Sequence, residues 1–254
     1  MERESAEANS RLSRIETRWS VVRQAHDTDR ELASSAKHDL ISQYGGAIRN
    51  YLGGAVRNDD LAGDLYQDFV VKFLRGDFRN VSPEKGRFRS FVKTVLFRMV
   101  AQHFRNKSRD KVVDVDVAVV EQDVENDKQE EKFVGVWRDE VLNRTWKKLA
   151  ESEVASGSRH HTVLLAKVEN PLANGDELAA IIGEAVGKEI SSANARVMVH
   201  RSREKFAMLM IEDVSESLDN PVREAVEQEL IELGLIEYCR DSIDRYKRFA
   251  DSSL

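Results

Sequence analysis

The sequence predicts an all-α protein: two helical domains joined by an acidic linker, the second containing a helix-turn-helix, followed by a helical C-terminal tail. Three observations lead there. Only 3 prolines and 13 glycines interrupt 254 residues, so long windows rich in Ala, Glu, Lys, Arg and Leu run free of helix breakers. Apolar residues recur at three- and four-residue spacing through most of those windows. Charge is segregated: Lys85, Arg87, Arg89, Lys93, Arg98, Arg105, Lys107, Arg109 and Lys111 are opposed only by Asp110, whereas from Asp114 to Glu131 acids face a single Lys128. A sign reversal of this kind marks a solvated boundary, and the length suits two domains of about 100–150 residues each. The chain therefore divides into an N-terminal extension (1–36), a first helical domain (37–111), the linker (112–132), a helix-turn-helix domain (133–213) and a helical extension (214–254).

Taken in order, His38 to Gly53 reads as a helix through Leu40, Ile41, Tyr44, Ile48 and Leu52; each residue of the Gly45-Gly46 pair costs it about 1 kcal/mol against alanine, which packing must offset. Asp60 is placed to cap the next helix, whose apolar stripe is Leu61, Leu65, Phe69 and Phe73, widened by Tyr66, Val70 and Leu74, with an end near Gly76. After SPEKGRFRS a further helix carries Phe88, Phe91, Val92, Val95, Leu96, Met99 and Val100 on one stripe, and Arg89, Lys93, Arg98, Gln102 and Arg105 largely off it. In the second half, Phe133 to Leu149 and His161 to Val168 show helical spacing, and Pro171 to Gly175 reads as a turn. Asp176 then caps a helix bearing Leu178, Ala179, Ile181 and Ile182; Ser191 or Ser192 caps another that runs to about Ile211. Pro221 to Phe249 opens with proline at a favourable helix start.

The single cysteine, Cys239, excludes an intrachain disulfide framework and points to a reducing cytoplasm. The charged start MERESAEANSRLSRIETRWS has no apolar core of signal-peptide type, and no apolar run approaches membrane-spanning length. A cytoplasmic protein without a membrane partner is expected. No catalytic residue, metal site or cofactor is expected either. His160 and His161 are adjacent, so they point to different faces of a helix and lack the four-residue spacing of a zinc helix; they and His26 and His38 read as surface histidines. Capping explains Asp59-Asp60, and no P-loop or nucleophile elbow is present.

The chemistry that remains is nucleic-acid recognition, for which the distribution of charge matters more than the net −6. A helix entering the major groove needs small or polar residues in its first turns and cations further along to reach phosphates. Residues 191–205, SSANARVMVHRSREK, have that order: Ser192, Asn194 and Arg196 first, then His200, Arg201, Arg203 and Lys205. An amphipathic helix with a solvated basic face reads similarly. The basic helix of the first half is a second candidate, because displaced bases are held by cationic grooves and stacking aromatics; Phe97 and Phe104 lie off its main apolar stripe and serve either stacking or packing.

These residues also carry a family resemblance. The run DLYQDFVVKFL (64–74) resembles the polymerase-binding helix of the sigma-70 family, with Asp64, Leu65, Gln67, Asp68, Lys72 and Phe73 matching. The run GRFRSFVKTVLFRMVAQHFRNKSR (86–109) is similar to the family's promoter-melting and minus-10-reading helix through Gly86, Phe88, Arg89, Phe91, Thr94, His103 and Arg105. Residues 177–206 resemble its minus-35-reading domain through Leu178, Ala179, Gly183, Ser191, Arg196, Val197, His200, Arg201, Arg203, Lys205 and Phe206. TRWS at 17–20 and PVREAVEQELIEL at 221–233 further resemble a planctomycete-type subgroup of the extracytoplasmic-function branch. Departures are Arg98 where asparagine is usual, Gln102 where aspartate is usual, Gly63 where an acid is usual, and a longer connection over Glu184 to Ile190.

The resemblance implies a non-enzymatic transcription initiation factor with core RNA polymerase and promoter DNA as partners, and admits an anti-sigma factor or a protein kinase as controlling partner. It implies polymerase docking by Asp64, Leu65, Gln67, Asp68 and Lys72, and minus-10 contacts by Arg89, Lys93, Arg98, Gln102, His103 and Arg105. The minus-35 contacts fall to Ser192, Asn194, Arg196, His200, Arg201, Arg203 and Lys205. The competing reading is a free-standing helix-turn-helix regulator that works without the polymerase.

Overall fold

The computed structural model describes residues 30–78, 88–110, 123–218 and 221–246, without the side chains of 30–37, 39, 42, 88, 107–110 and 123–129. Among the described residues there are nine α-helices and no strand, as the breaker-poor sequence predicts. They are α1 (Arg30–Val56), α2 (Asp59–Arg75), α3 (Phe88–Asp110), α4 (Asp123–Ser156), α5 (His160–Glu169), α6 (Gly175–Val186), α7 (Ser192–Glu216), α8 (Arg223–Glu232) and α9 (Ile236–Ile243). None is long and apolar enough to cross a membrane. Two compact units form: Met1–Glu140 with Ser217–Asn220, and Val141–Glu216 with Pro221–Leu254. The N-terminal extension up to residue 29, with TRWS, lies outside the described residues, as do Gly86 and residues 111–122 of the basic-to-acidic boundary.

In the first unit α1, α2 and α3 bury Leu40, Tyr44, Ile48 and Leu52 against Leu65, Phe69 and Phe73 and against Val92, Leu96 and Met99. The glycine pair of α1 has a steric reason. A Cβ at Gly45 would meet Tyr66 Oη at 2.7 Å, and one at Gly46 would meet the Glu140 carboxylate at 2.6 Å. The cap of α2 is Asn58, whose Oδ1 accepts from the Leu61 N–H at 2.9 Å; the acids Asp59 and Asp60 occupy the first turn, where they favour the helix dipole. Gly76, at φ 86°, closes α2: its N–H reaches Phe73 O and the Asp77 N–H reaches Lys72 O, a Schellman arrangement that needs the left-handed region.

The acidic block does not remain a linker throughout. From Asp123 it is already part of α4, a helix of 34 residues. The early part of α4 belongs to the first unit because of aromatic packing: Trp137 stacks on Tyr44 with centroids 5.2 Å apart, and Phe133 sets its edge on Tyr51 at 5.3 Å and on Phe97 at 6.4 Å. The division between units therefore falls at 140/141 and not before Phe133.

The second unit is held in part by Asp213 of α7. This buried carboxylate accepts from Arg144 Nη2 at 2.8 Å and Nε at 3.1 Å, and lies 3.0 Å from Lys148 Nζ. Trp146 packs on Phe206 at 5.0 Å and meets the His161 edge at 5.8 Å, while His160 Nδ1 lies 3.2 Å from Ser202 Oγ. Both histidines are half-buried packing residues and not surface ones, His161 meeting Trp146 of α4 and His160 meeting Ser202 of α7. Glu153 caps the start of α5, accepting from the Thr162 N–H at 3.0 Å and from its hydroxyl at 2.5 Å. Val163 and Ala166 of α5, Leu178, Ala179 and Ile182 of α6, and Ala195 and Val199 of α7 form one apolar cluster.

The C-terminal tail is two helices, broken at Leu233 and Gly234, and α9 packs on α7. Val226, Leu230, Leu235 and Cys239 are fully buried. The Cys239 thiol lies 3.7 Å from Met210 Sδ, and burial pushes its pKa up to about 12, which makes it a packing group and not a nucleophile.

Candidate nucleic-acid interface

Three helix surfaces carry the residues singled out by the sequence, and each is exposed because the opposite stripe is buried. On α2 the buried stripe is Ala62, Leu65, Phe69 and Phe73. Leu65 therefore serves the core, whereas Asp64, Gln67 and Asp68 face solvent, with Lys72 bonded to Asp68 at 2.8 Å. Val71 and Leu74 share the exposed side at 39% and 43% exposure. Leu74 does not widen the buried stripe. At about 100° per residue the spacing already places both residues off a stripe through 62, 65, 69 and 73, although their apolar character argued for burial.

On α3 the buried stripe is Arg89, Val92, Leu96 and Met99. Arg89 is only 8% exposed, so it lies with the packing face and is not offered to a ligand. Arg98, Gln102 and Arg105 are exposed at spacings of four and three residues and form one polar ridge. The Gln102 amide bonds Asn106 at 2.7 Å. Lys93 donates to Glu130 of α4 at 2.7 Å, so an acid of the former linker already engages one of the expected DNA contacts. His103 is half-buried with its ring edge-on to Phe104 at 5.7 Å. The two aromatics left open by the sequence part company: Phe97 stacks on Tyr51 at 5.6 Å, whereas Phe104 keeps 45% of its surface.

The third surface lies at the junction of α6 and α7. Asn174, not Asp176, caps α6, in a capping box with Glu177: Asn174 Oδ1 accepts from the Glu177 N–H and Glu177 accepts from the Asn174 N–H, each at 3.0 Å. The end of α6 is another Schellman turn at Gly187, φ 69°, with Lys188 N–H reaching Gly183 O at 2.9 Å. A Cβ on Gly183 would fall 2.8 Å from Lys188 O, so only glycine lets the connection fold back so closely. Ile190 then packs against the apolar cluster, and Ser191 Oγ accepts from the Asn194 N–H at 3.3 Å to start α7. The lengthened connection is thus an ordered turn over 187–191.

Along α7, Ala195, Val199, Ser202 and Phe206 face inward. Asn194, Arg196, His200, Arg201 and Arg203 are exposed, and Ser192 and Lys205 are half-buried. The Arg196 Nε–H turns back to Ser192 O at 3.4 Å, and His200 Nδ1 lies 3.5 Å from Glu204, which also pairs with Arg245. Val197, an apolar residue that matches the family pattern, is 46% exposed. Small and polar groups thus occupy the first turns and cations the following ones, an order suited to a base edge flanked by phosphates. No group of three or more metal-ligating side chains occurs among the described residues. No protein-family model matches the chain, and comparisons with curated proteins and with solved structures found no match either.

Proposed function

We propose that the chain is a sigma-type specificity subunit: it docks on core RNA polymerase and directs promoter recognition and opening, while the polymerase performs the catalysis. The observation that carries the proposal is the outer face of α2. Among its exposed residues are the acids and amide that match a polymerase-docking helix, Asp64, Gln67 and Asp68, joined by Val71 and Leu74 and, at its end, by Arg75. A face of mixed charge with an apolar flank suits a partly apolar protein surface better than the phosphates of DNA.

In this proposal α6 and α7 are a helix-turn-helix whose second helix reads the minus-35 element through Asn194, Arg196, His200 and Arg201, with Arg203 and Lys205 on phosphates. The ridge Arg98, Gln102 and Arg105, with Phe104, holds displaced minus-10 bases. Arg98 and Gln102 replace the family's asparagine and aspartate, so base capture here uses a guanidinium and an amide. Two weak modules on one chain reinforce each other through effective concentration once both sit on one polymerase. An anti-sigma factor or a protein kinase remains the class of controlling partner that the resemblance suggests.

Co-purification of the tagged chain with core polymerase, followed by sequencing of the RNA starts that the complex makes, tests the proposal. Stoichiometric polymerase and a set of starts preceded by two spaced elements is the expected result. Tight, sequence-specific duplex binding without any polymerase would replace the proposal with a free-standing regulator.

A further inference from the structure

We infer that Val197 reads a thymine of the bound duplex through its 5-methyl group, with Ala193, one turn earlier, leaving the room. The inference rests on α7 being the DNA-reading helix and names the base that its outermost point selects. The inner face of α7 is set by Ala195, Val199, Ser202 and Phe206. Val197 is two residues beyond Ala195, a rotation of about 200°, which puts it at the pole facing away from the core. It keeps 46% of its surface there, and Ala193 is exposed on the same side.

Isolated exposed apolar residues are ordinary; the surroundings of this one are not. Asn194, Arg196, His200 and Arg201, all exposed, surround it. An apolar group at the centre of a polar face is the part that would go deepest into the groove. Of the four bases only thymine presents an apolar group in the major groove, its C5 methyl; guanine, adenine and cytosine present donors or acceptors that a valine would leave without partners. A β-branched residue is also a poor choice for an exposed helix position on propensity alone.

The test uses the full chain with core polymerase. Duplexes are selected from a random pool, and each thymine of the enriched sequence is then replaced singly by uracil, which deletes only the methyl group. Burying one methyl predicts a loss of about fourfold at one position in the half contacted by α7. With Val197→Ala the thymine duplex binds several-fold more weakly, and the uracil substitution at that position has no further effect. Because the site is exposed, Val197→Ala keeps the helix and, through the better helix propensity of alanine, holds or slightly raises the melting temperature, so weaker binding is not a loss of fold. A uniform response to uracil, or a uracil effect that persists in Val197→Ala, overturns the inference. Enrichment that needs no polymerase overturns the sigma proposal while the uracil scan still decides on Val197; no enrichment at all overturns both.

Discussion

At Gly183 and Gly54 the same substitution should have opposite signs. Gly183→Ala forces a Cβ to within 2.8 Å of the Lys188 carbonyl, a backbone atom that cannot swing aside. Gly54 lies inside α1 with nothing within 4 Å of its would-be Cβ. Gly54→Ala should stabilise by up to about 1 kcal/mol through helix propensity, whereas Gly183→Ala should cost about 1–3 kcal/mol through local overpacking; thermal melts of the two variants separate them. Asp213 is the costlier site to change. Asp213→Ala removes the buried carboxylate on which Arg144 and Lys148 converge, Lys148 keeping Glu216 at 2.8 Å, and a loss of about 3 kcal/mol in chemical denaturation is expected, towards the low end for broken buried pairs because Lys148 keeps an ion pair and both cations retain some solvent. Glu153 gives the pH dependence. Burial pushes its pKa up, but the bonds from the Thr162 hydroxyl and backbone and from the His161 backbone outweigh burial and hold it below the usual carboxylate value. A depressed carboxyl stabilises above the unfolded value and loses that contribution as pH falls through the folded one. The stability gap between the wild type and Glu153→Gln should therefore be widest near neutrality and close below about pH 4.

Between elements, the tail is the part whose role a sequence conceals most readily. Pro221 and the spacing of Val222, Val226 and Leu230 announce a helix, yet periodicity says nothing about what a helix packs on. Deleting residues 221–254 would uncover the α7 surface around Ala207 and Met210 that Cys239 covers. The expected outcome is loss of cooperative unfolding of the second unit and a rise in exposed apolar surface, read by dye binding; a truncated chain that melts like the full one would show the tail to be dispensable. Helix bodies were legible because a buried stripe repeats every three or four residues, as in α2 and α6. Helix starts were less so. Asn58 and Asn174 do the capping, while Asp60 and Asp176, the more conspicuous acids, sit in the first turn. The start of α4 was hidden because acids in Asp123–Glu131 look the same in a solvated coil and on a helix; what extends the first unit to residue 140 is Phe133 and Trp137 meeting Tyr44 and Tyr51, a long-range match. Residues of the candidate surfaces followed the same rule. Exposure of Asp64, Arg98 and Arg196 could be read from polarity, but burial of Arg89 and exposure of Val71 and Val197 run against side-chain type, and only helix phase reveals them.

At the scale of the whole molecule, a net charge of −6 weakens non-specific attraction to DNA, so binding must come from local ridges, and the two ridges make separable contributions under the proposed function. Arg98 and Arg105 belong to the surface assigned to displaced bases, and Arg203 to the one assigned to duplex phosphates. Arg203→Ala should weaken promoter binding at all sequences and lower the slope of log affinity against log salt by about 1, since one fewer counterion is released. The double variant Arg98→Ala with Arg105→Ala should leave the minus-35 footprint of the polymerase complex in place while suppressing strand opening, read by permanganate reactivity of unpaired thymines. The pairing Lys93–Glu130 adds a separate check on α3, because Glu130→Gln frees the half-buried Lys93 cation on another side of that helix from the ridge, at modest cost in stability since Glu130 itself is exposed. Strand opening should rise in that variant, most clearly at low salt where screening is weakest. Equal opening in all three backgrounds would move base capture away from α3.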